Sequence, residues 1–301
     1  MTNRTHASCW ACVAVVVTVT LGVAAGAQAQ TGNRDNAPQP LQPAAPATMP
    51  AQSPAAGAAP SPPAQGQIEA GLGYSDLSDG YNNWVDQYVR GHVTMRPGST
   101  LYGSVARERH FGESGAVGGL TLVQDLSPDW YASIGASSGA ATFQNRFRVD
   151  AALYRKWGAE RRWITGIALM HASSGDGIHH DNMIRASAIY YAPQGFIAEG
   201  GVSGNRSNPG SVWSTRVYGA VTMGADKKHW LSLKLDHGQE GYLPVVAGQS
   251  FPTNTQFRST EATVQWRQWV GRDWGYVLGV QLYHNPYYHR AGVSGGLFMD
   301  F

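Results

Sequence analysis

The chain closes on "SGGLFMDF", Ser294 to Phe301. Phe301, Met299, Leu297 and Val293 share one parity, while Asp300, Ser294 and Arg290 hold the other; Phe298 breaks the pattern. A period of two belongs to a strand with one apolar and one polar face. A soluble domain more often ends in a frayed polar tail. What the apolar face meets is written in the residues upstream.

From Gln67 onward the same unit recurs: an alternating stretch of roughly ten residues, then a turn. Ile68, Ala70, Leu72 and Tyr74 alternate with Glu69, Gly71, Gly73 and Ser75, and Leu231, Leu233 and Leu235 with Ser232, Lys234 and Asp236. The turns fall into two classes. "RPGS", "LSPD", "APQG" and "VGRD" are short; "SDLSDGYNN", "SSGDGIHH", "GNRSNPG" and "HGQEGYLPVVAGQSFPTN" alternate with them and are longer and polar. Trp130, Trp157, Trp163, Trp230, Trp269 and Trp274 flank the short turns, where an interfacial aromatic girdle belongs. A soluble β-sandwich also alternates, but it has no reason to gather tryptophan beside every second turn. The pattern predicts an all-β fold: a transmembrane antiparallel up-and-down β-barrel of about fourteen strands, within a range of about 12–16. The last strand must pair with the first, because an open edge cannot exist in hydrocarbon.

The N-terminus supplies the compartment. Arg4 and His6 precede the apolar run Val13 to Gly26, and "AQA" at Ala27 to Ala29 offers a small-x-small cleavage site. Residues 1–29 read as a secretory signal peptide. Both cysteines, Cys9 and Cys12, lie inside it, so no disulfide is expected in the mature protein. Residues 30–66 are Pro, Ala and Gln with almost no large apolar residue, the composition of a disordered tether. The barrel is assigned to residues 67–301. The sequence is only 14% charged, against about 25% in ordinary soluble domains. A net charge of +2 favours neither nucleic acid nor a strongly acidic partner. These readings place the barrel in the outer membrane of a Gram-negative cell with the tether in the periplasm. Its expected partners are outer-membrane lipid and the barrel assembly machinery.

"GLGYSDLSDGYNNWVDQYVRG" (Gly71 to Gly91), "LYGSVARERHFGESG" and "LSPDWYASIGASSG" resemble the opening hairpins of the YaiO-type outer-membrane barrels. The resemblance rests on Tyr74, Ser78, Asp79, Gly80, Trp84, Tyr88, Gly103, Arg109, Phe111 and Trp130, which are loop and wall positions. It implies an outer-membrane location and an association with surface or secreted polysaccharide and the components that make and export it. The ending resembles the assembly signal of outer-membrane barrels, carried here by Ser294, Gly296, Met299 and Phe301.

The inward parity carries both signs: Glu69, Asp86, Glu108, Asp150, Glu199, Asp236 and Glu261 against Arg90, Arg146, Arg148, Arg185, Arg216, Lys234 and Arg267. Such charges either line a water-filled pore or pair across strands and hold the wall. Inward Tyr88, Tyr102, Tyr131, Tyr154, Tyr218 and Tyr283 offer faces on which sugars stack, or simply fill the lumen. A second reading is a lipid-modifying hydrolase, because His171 and Ser173 share one face of a strand near its outer end. "GIHHDN" (Gly177 to Asn182) reads as a loop tip rather than a metal site, since adjacent strand residues diverge to opposite faces. No cofactor is expected. The loop from His237 to Asn254 contains the apolar "YLPVVAGQSF", either an inward constriction or a docking surface.

Overall fold

The computed structural model describes residues 66–246, 249–250 and 255–301. The expected signal peptide, the tether up to residue 65 and part of the 237–254 loop lie outside the described residues. The strands are β1 (Gly66–Leu77), β2 (Trp84–Arg96), β3 (Ser99–His110), β4 (Glu113–Asp125), β5 (Trp130–Gly139), β6 (Asn145–Trp157), β7 (Trp163–Ser174) and β8 (His180–Tyr191). They continue as β9 (Phe196–Asn208), β10 (Val212–Ala225), β11 (His229–Tyr242), the two-residue strands β12 (Val245–Val246) and β13 (Gln249–Ser250), β14 (Thr255–Trp269), β15 (Trp274–His284) and β16 (His289–Asp300). Apart from the small β12–β13 ladder, all fourteen form one closed antiparallel barrel in chain order.

The seam is β1 against β16, with Gly71 opposite Gly296 and Tyr74 opposite Val293. Gly66 and Phe301 complete it by exchanging both backbone hydrogen bonds, at 2.9 and 3.0 Å. No edge strand is left in the barrel, as a hydrocarbon surround requires. Both chain ends of the barrel therefore lie at the short-turn end, opposite the long loops. At the short turn between β2 and β3, Gly98 adopts a φ of 76°, a conformation that costs glycine little.

Burial is inverted relative to a soluble protein. Leu72, Ile167 and Leu297 are 60% or more exposed on the outer face, while Glu69 and Glu261 are buried at 2% and 8%. Water would not tolerate so wide an apolar band; lipid stabilises it.

Two details depart from the alternation pattern. Trp130, Trp157, Trp163 and Trp274 are exposed on the outside as girdle residues. Trp269, however, is buried inside, where its indole N–H donates to Asp300 at 2.8 Å and its ring meets Phe298 edge-on at 4.9 Å. Trp230 also takes the inward register, opposite Arg267. Phe298 is inward too, over Gly275, where any Cβ would stand 2.6 Å from its ring. The second departure is strand length. β9 runs to Asn208 and β11 to Tyr242, several residues past the end of the apolar alternation, because ladder hydrogen bonds need no apolar side chains. The loops are correspondingly shorter.

Candidate functional site

The inner wall divides into three groups of side chains. The first lies at the seam, in the short-turn half. Glu69 on β1 accepts hydrogen bonds from Arg90 at 2.7 and 3.0 Å, from the Tyr88 hydroxyl at 3.0 Å, and from Arg267. Arg267 is on β14, separated from β1 by the two strands β16 and β15, so only the concave side can join them. Arg267 also donates to Gln67 at 2.9 Å and lies over the Phe298 ring at 4.4 Å. Gln67 in turn donates to Asp300 at 2.6 Å, and Asp300 also accepts from Lys227 at 2.6 Å. Lys227 sits in the β10–β11 turn, so this chain of contacts reaches from one side of the barrel mouth to another.

The second group is the loop half of β10, β11 and β14–β16. Arg216 bonds Asp236 at 2.7 Å, Glu240 at 3.0 Å and the Ser259 hydroxyl at 2.6 Å. Tyr283 donates to the same Glu240 at 3.0 Å, and Arg290 pairs with Glu261 at 3.1 Å while lying over the Trp84 ring at 4.3 Å. Around them Leu77, Trp84, Tyr283 and Tyr288 form a buried cluster, joined by Tyr81 and Phe111. Next to it Asp86 bonds His110 at 2.8 Å, and Gln144 donates to Glu108 at 3.0 Å.

The third group is the facing wall. Tyr131 and Tyr154 stack at 4.6 Å and 7° beside buried Ile164 and Ile189. Tyr218 donates to Glu199 at 2.6 Å, with the Arg185 guanidinium 6.0 Å and the Lys234 ammonium 5.8 Å from its ring. Among the described residues neither Arg185 nor Lys234 makes an ion pair. Arg148 and Asp150 pair within one strand at 2.6 Å, and Tyr102 packs on His92 at 5.3 Å. Arg146 falls at the irregularity between Asn145 and Phe147, where the register with β7 shifts, and its side chain is exposed.

Tyr88, Tyr154 and Tyr218 each lie over a glycine. A Cβ on Gly71 would stand 2.4 Å from the Tyr88 hydroxyl, and one on Gly166 would stand 2.4 Å from the Tyr154 ring. Gly296, grouped above with the assembly signal, also lies under Tyr88, whose hydroxyl a Cβ would approach to 3.0 Å. Met299 and Phe301 point outward, exposed at 53% and 60%; Ser294 is on the inward register opposite Gly73.

His171 and Ser173 share the outer face but take different partners. His171 donates from Nδ1 to Asn182 at 2.9 Å, whereas the Ser173 hydroxyl shares a hydrogen bond of 2.8 Å with His180 Nδ1. Neither histidine has a carboxylate hydrogen-bond partner among the described residues, so the serine–histidine–acid relay is not assembled here. The residues of "GIHHDN" diverge. His179 bonds Asp176 and the Leu243 carbonyl, His180 faces outward, and Asp181 is buried inside, accepting from Asn205 at 2.8 Å. Among the described residues no group of three or more His, Cys, Asp or Glu is placed to hold a metal ion.

Gln67, Lys227, Glu240, Ser259, Trp269, Arg290 and Asp300 complete the network and were not singled out by the alternation pattern. Asp300 and Arg290 did stand on the polar parity of the last strand. Lys227 carried no signal, because turn residues have no parity.

A closed, lipid-exposed barrel with a polar, cross-linked inner wall defines an outer-membrane β-barrel. Residues 65–243 match the model of the YaiO membrane β-barrel domain, and the chain belongs to that family. No curated protein matches it. Among solved structures the chain is similar to a "Bacterial polysaccharide outer membrane secretin", at 8% identity over 79% of this chain and 99% of that one, with a TM-score of 0.48. It is also similar to the translocator domain of autotransporter NalP from Neisseria meningitidis (11% identity, 79% and 88% covered, TM-score 0.43). A third is an anion-selective porin from Comamonas acidovorans (7% identity, 78% and 98% covered, TM-score 0.45).

Proposed function

We propose that this barrel serves the export or display of a surface or extracellular polysaccharide, with its loop end outside the cell and the N-terminal tether in the periplasm. The observation that carries the reading is the facing wall: the part-exposed Tyr218 ring, with the Arg185 and Lys234 cations beside it rather than in ion pairs. Aromatic faces give a sugar ring an apolar platform. Cations without a fixed counter-ion give an acidic chain a place to pair. The partners in this reading are the acidic polysaccharide and the components that synthesise and export it.

The experiment is planar-bilayer recording of the refolded barrel with an acidic oligosaccharide added to either side. Current interruptions with the acidic oligosaccharide, reduced with a neutral one and reduced again in a Lys234→Gln, Arg185→Gln double variant, are expected. Equal interruption by acidic and neutral sugars in every variant would overturn the reading, as would a barrel that neither conducts nor responds.

A further inference from the structure

The outer face has its own asymmetry. In the loop-end half, the outward register carries Arg107, Arg109, Arg206 and Arg258. It also carries His171, His180, His237, His284 and His289. Asp76 is the one acid on that register among the described strand residues. Below these positions the surface turns to Leu169, Ile184, Val217, Leu235 and Leu282, all more than half exposed.

Where β6–β10 meet this boundary there is an outward groove of about 540 Å³. Its floor is Ala151 and Gly204, its lower sides Leu169 and Ile184, and its upper rim His171, Asn182, Arg206 and Trp213. No carboxylate lines it. Arg206 donates one bond, to the Ser211 hydroxyl at 2.7 Å, and makes no ion pair among the described residues. Trp213 is 58% exposed beside it. A Cβ on Gly204 would stand 3.7 Å from the Trp213 ring, so it is the missing side chain that leaves the floor open.

We propose that this groove is a binding site for one outer-leaflet membrane lipid with a phosphorylated headgroup. Acyl chains lie against Leu169, Ile184 and the small floor residues, where they cover apolar surface. The phosphate meets the Arg206 guanidinium, a planar donor set suited to phosphate oxygens, while Trp213 and the Asn182 and His171 side chains face the rest of the headgroup. A zwitterionic or neutral lipid offers no net charge to match a rim of arginine and imidazole. The assignment to the outer leaflet rests on the orientation proposed above.

The test is native mass spectrometry of the full barrel in detergent micelles. It uses a multiply acylated phosphorylated disaccharide lipid, the same lipid dephosphorylated, and inorganic phosphate. The phosphorylated lipid should bind at least about ten-fold more tightly than the dephosphorylated one, the loss expected for one charge-assisted contact. Arg206→Gln should lose about the same factor, and Gly204→Leu should weaken both lipids by filling the floor. Heat-modifiable gel mobility confirms that each variant is folded. Equal binding of the two lipids would leave an apolar contact only and overturn the proposal. Displacement by inorganic phosphate would make it a free-anion site, and unchanged binding in both variants would place the lipid elsewhere. Orientation is read separately, from labelling of Ser211→Cys by a membrane-impermeant maleimide on intact cells. Labelling only after lysis would reverse the orientation while leaving the micelle result standing.

Discussion

The seam wall and the facing wall are built from the same alternation, yet they use it differently. At the seam, the Glu69 carboxylate is held by two arginines and a tyrosine from two strands, β2 and β14, and Asp300 by a lysine, an indole and an amide. On the facing wall Glu199 has a tyrosine partner, and the Arg185 and Lys234 cations lie beside rings. The seam is the junction of the first and last strands, which the chain must close with the largest sequence separation in the molecule. Long-range pairing costs loop-closure entropy before any contact forms. A dense polar network there gives the closing strands a specific register, because a slip of one residue would turn Glu69 into lipid. The facing wall closes locally, hairpin by hairpin, and its inward side chains are left for other uses.

The largest test of that contrast removes one carboxylate from each wall. Glu69→Gln leaves Arg90 and Arg267 without their shared counter-charge in a site where the acid's side chain is buried, a loss of about 3 kcal/mol. Glu199→Gln removes the charge from one hydrogen bond to Tyr218 and should cost about 1 kcal/mol. Urea-dependent folding into lipid vesicles measures both. Equal losses would erase the distinction between the walls.

A second pair tests the face assignment on β11. Leu233 is exposed to lipid, and Leu233→Arg should cost about 2–4 kcal/mol near mid-barrel. Lys234, its inward neighbour, makes no ion pair among the described residues, so Lys234→Gln should stay within about 0.5 kcal/mol of the parent. The same folding titration applies, and a larger loss for Lys234→Gln would invert the strand and every inward residue named with it.

Packing sharpens the comparison at smaller scale. Gly71→Ala sets a methyl 2.4 Å from the Tyr88 hydroxyl and 2.7 Å from the Gly295 carbonyl across the seam. Backbone on one side cannot yield, so the cost should be about 1–3 kcal/mol. Gly200→Ala on β9 meets nothing nearer than a carbonyl at 3.5 Å and should fall within about 0.5 kcal/mol of the parent. Indistinguishable midpoints for the two variants would show that the seam tolerates movement that the contact geometry denies it.

The strands, their order and most of their faces could be read from the sequence because a period of two is a local property, and closure follows from the solvent. Lys234, Asp236, Arg216 and Glu69 all fall where parity puts them. Partners could not be read. Arg267 finds Glu69 and Lys227 finds Asp300 across 198 and 73 residues, and no local rule couples them. Trp269 and Phe298 are instructive in another way. They occupied inward positions that a lipid-facing girdle would leave polar, and the structure resolves this by pairing them with each other, with Arg267 and with Asp300. His171 and Ser173, the residues of the second reading, share a face, but each bonds the residue directly opposite on β8, a cross-strand register that parity alone does not show.

The smallest effect is expected at the loop end, where the two walls meet above the membrane. His179 donates from Nδ1 to Asp176 at 2.5 Å and from Nε2 to the Leu243 carbonyl at 2.8 Å, tying the β7–β8 loop to the long loop. Both ring nitrogens donate at once only in the imidazolium form. The bond to Asp176 raises the His179 pKa above its ordinary 6.5, partly opposed by burial. For Asp176, burial pushes upward, but the His179 ring and the backbone N–H groups of His179 and Ile178 outweigh it and hold the carboxyl well below 3.8. The histidine's contribution is therefore fully present below pH 6.5 and is lost as pH rises through its raised pKa. The carboxylate's contribution is present above pH 3.8 and is lost as pH falls through its lowered one. The tether should hold between those limits and loosen on the alkaline side by about 0.5–1 kcal/mol, the value of one hydrogen bond. Hydrogen exchange at the backbone around Leu243 measures it, corrected for the intrinsic pH dependence. Protection should fall across mildly alkaline pH in the parent and be low throughout in His179→Gln, with barrel stability the same in both. Matching protection curves for the two proteins would mean that the strand ladders alone position the long loop.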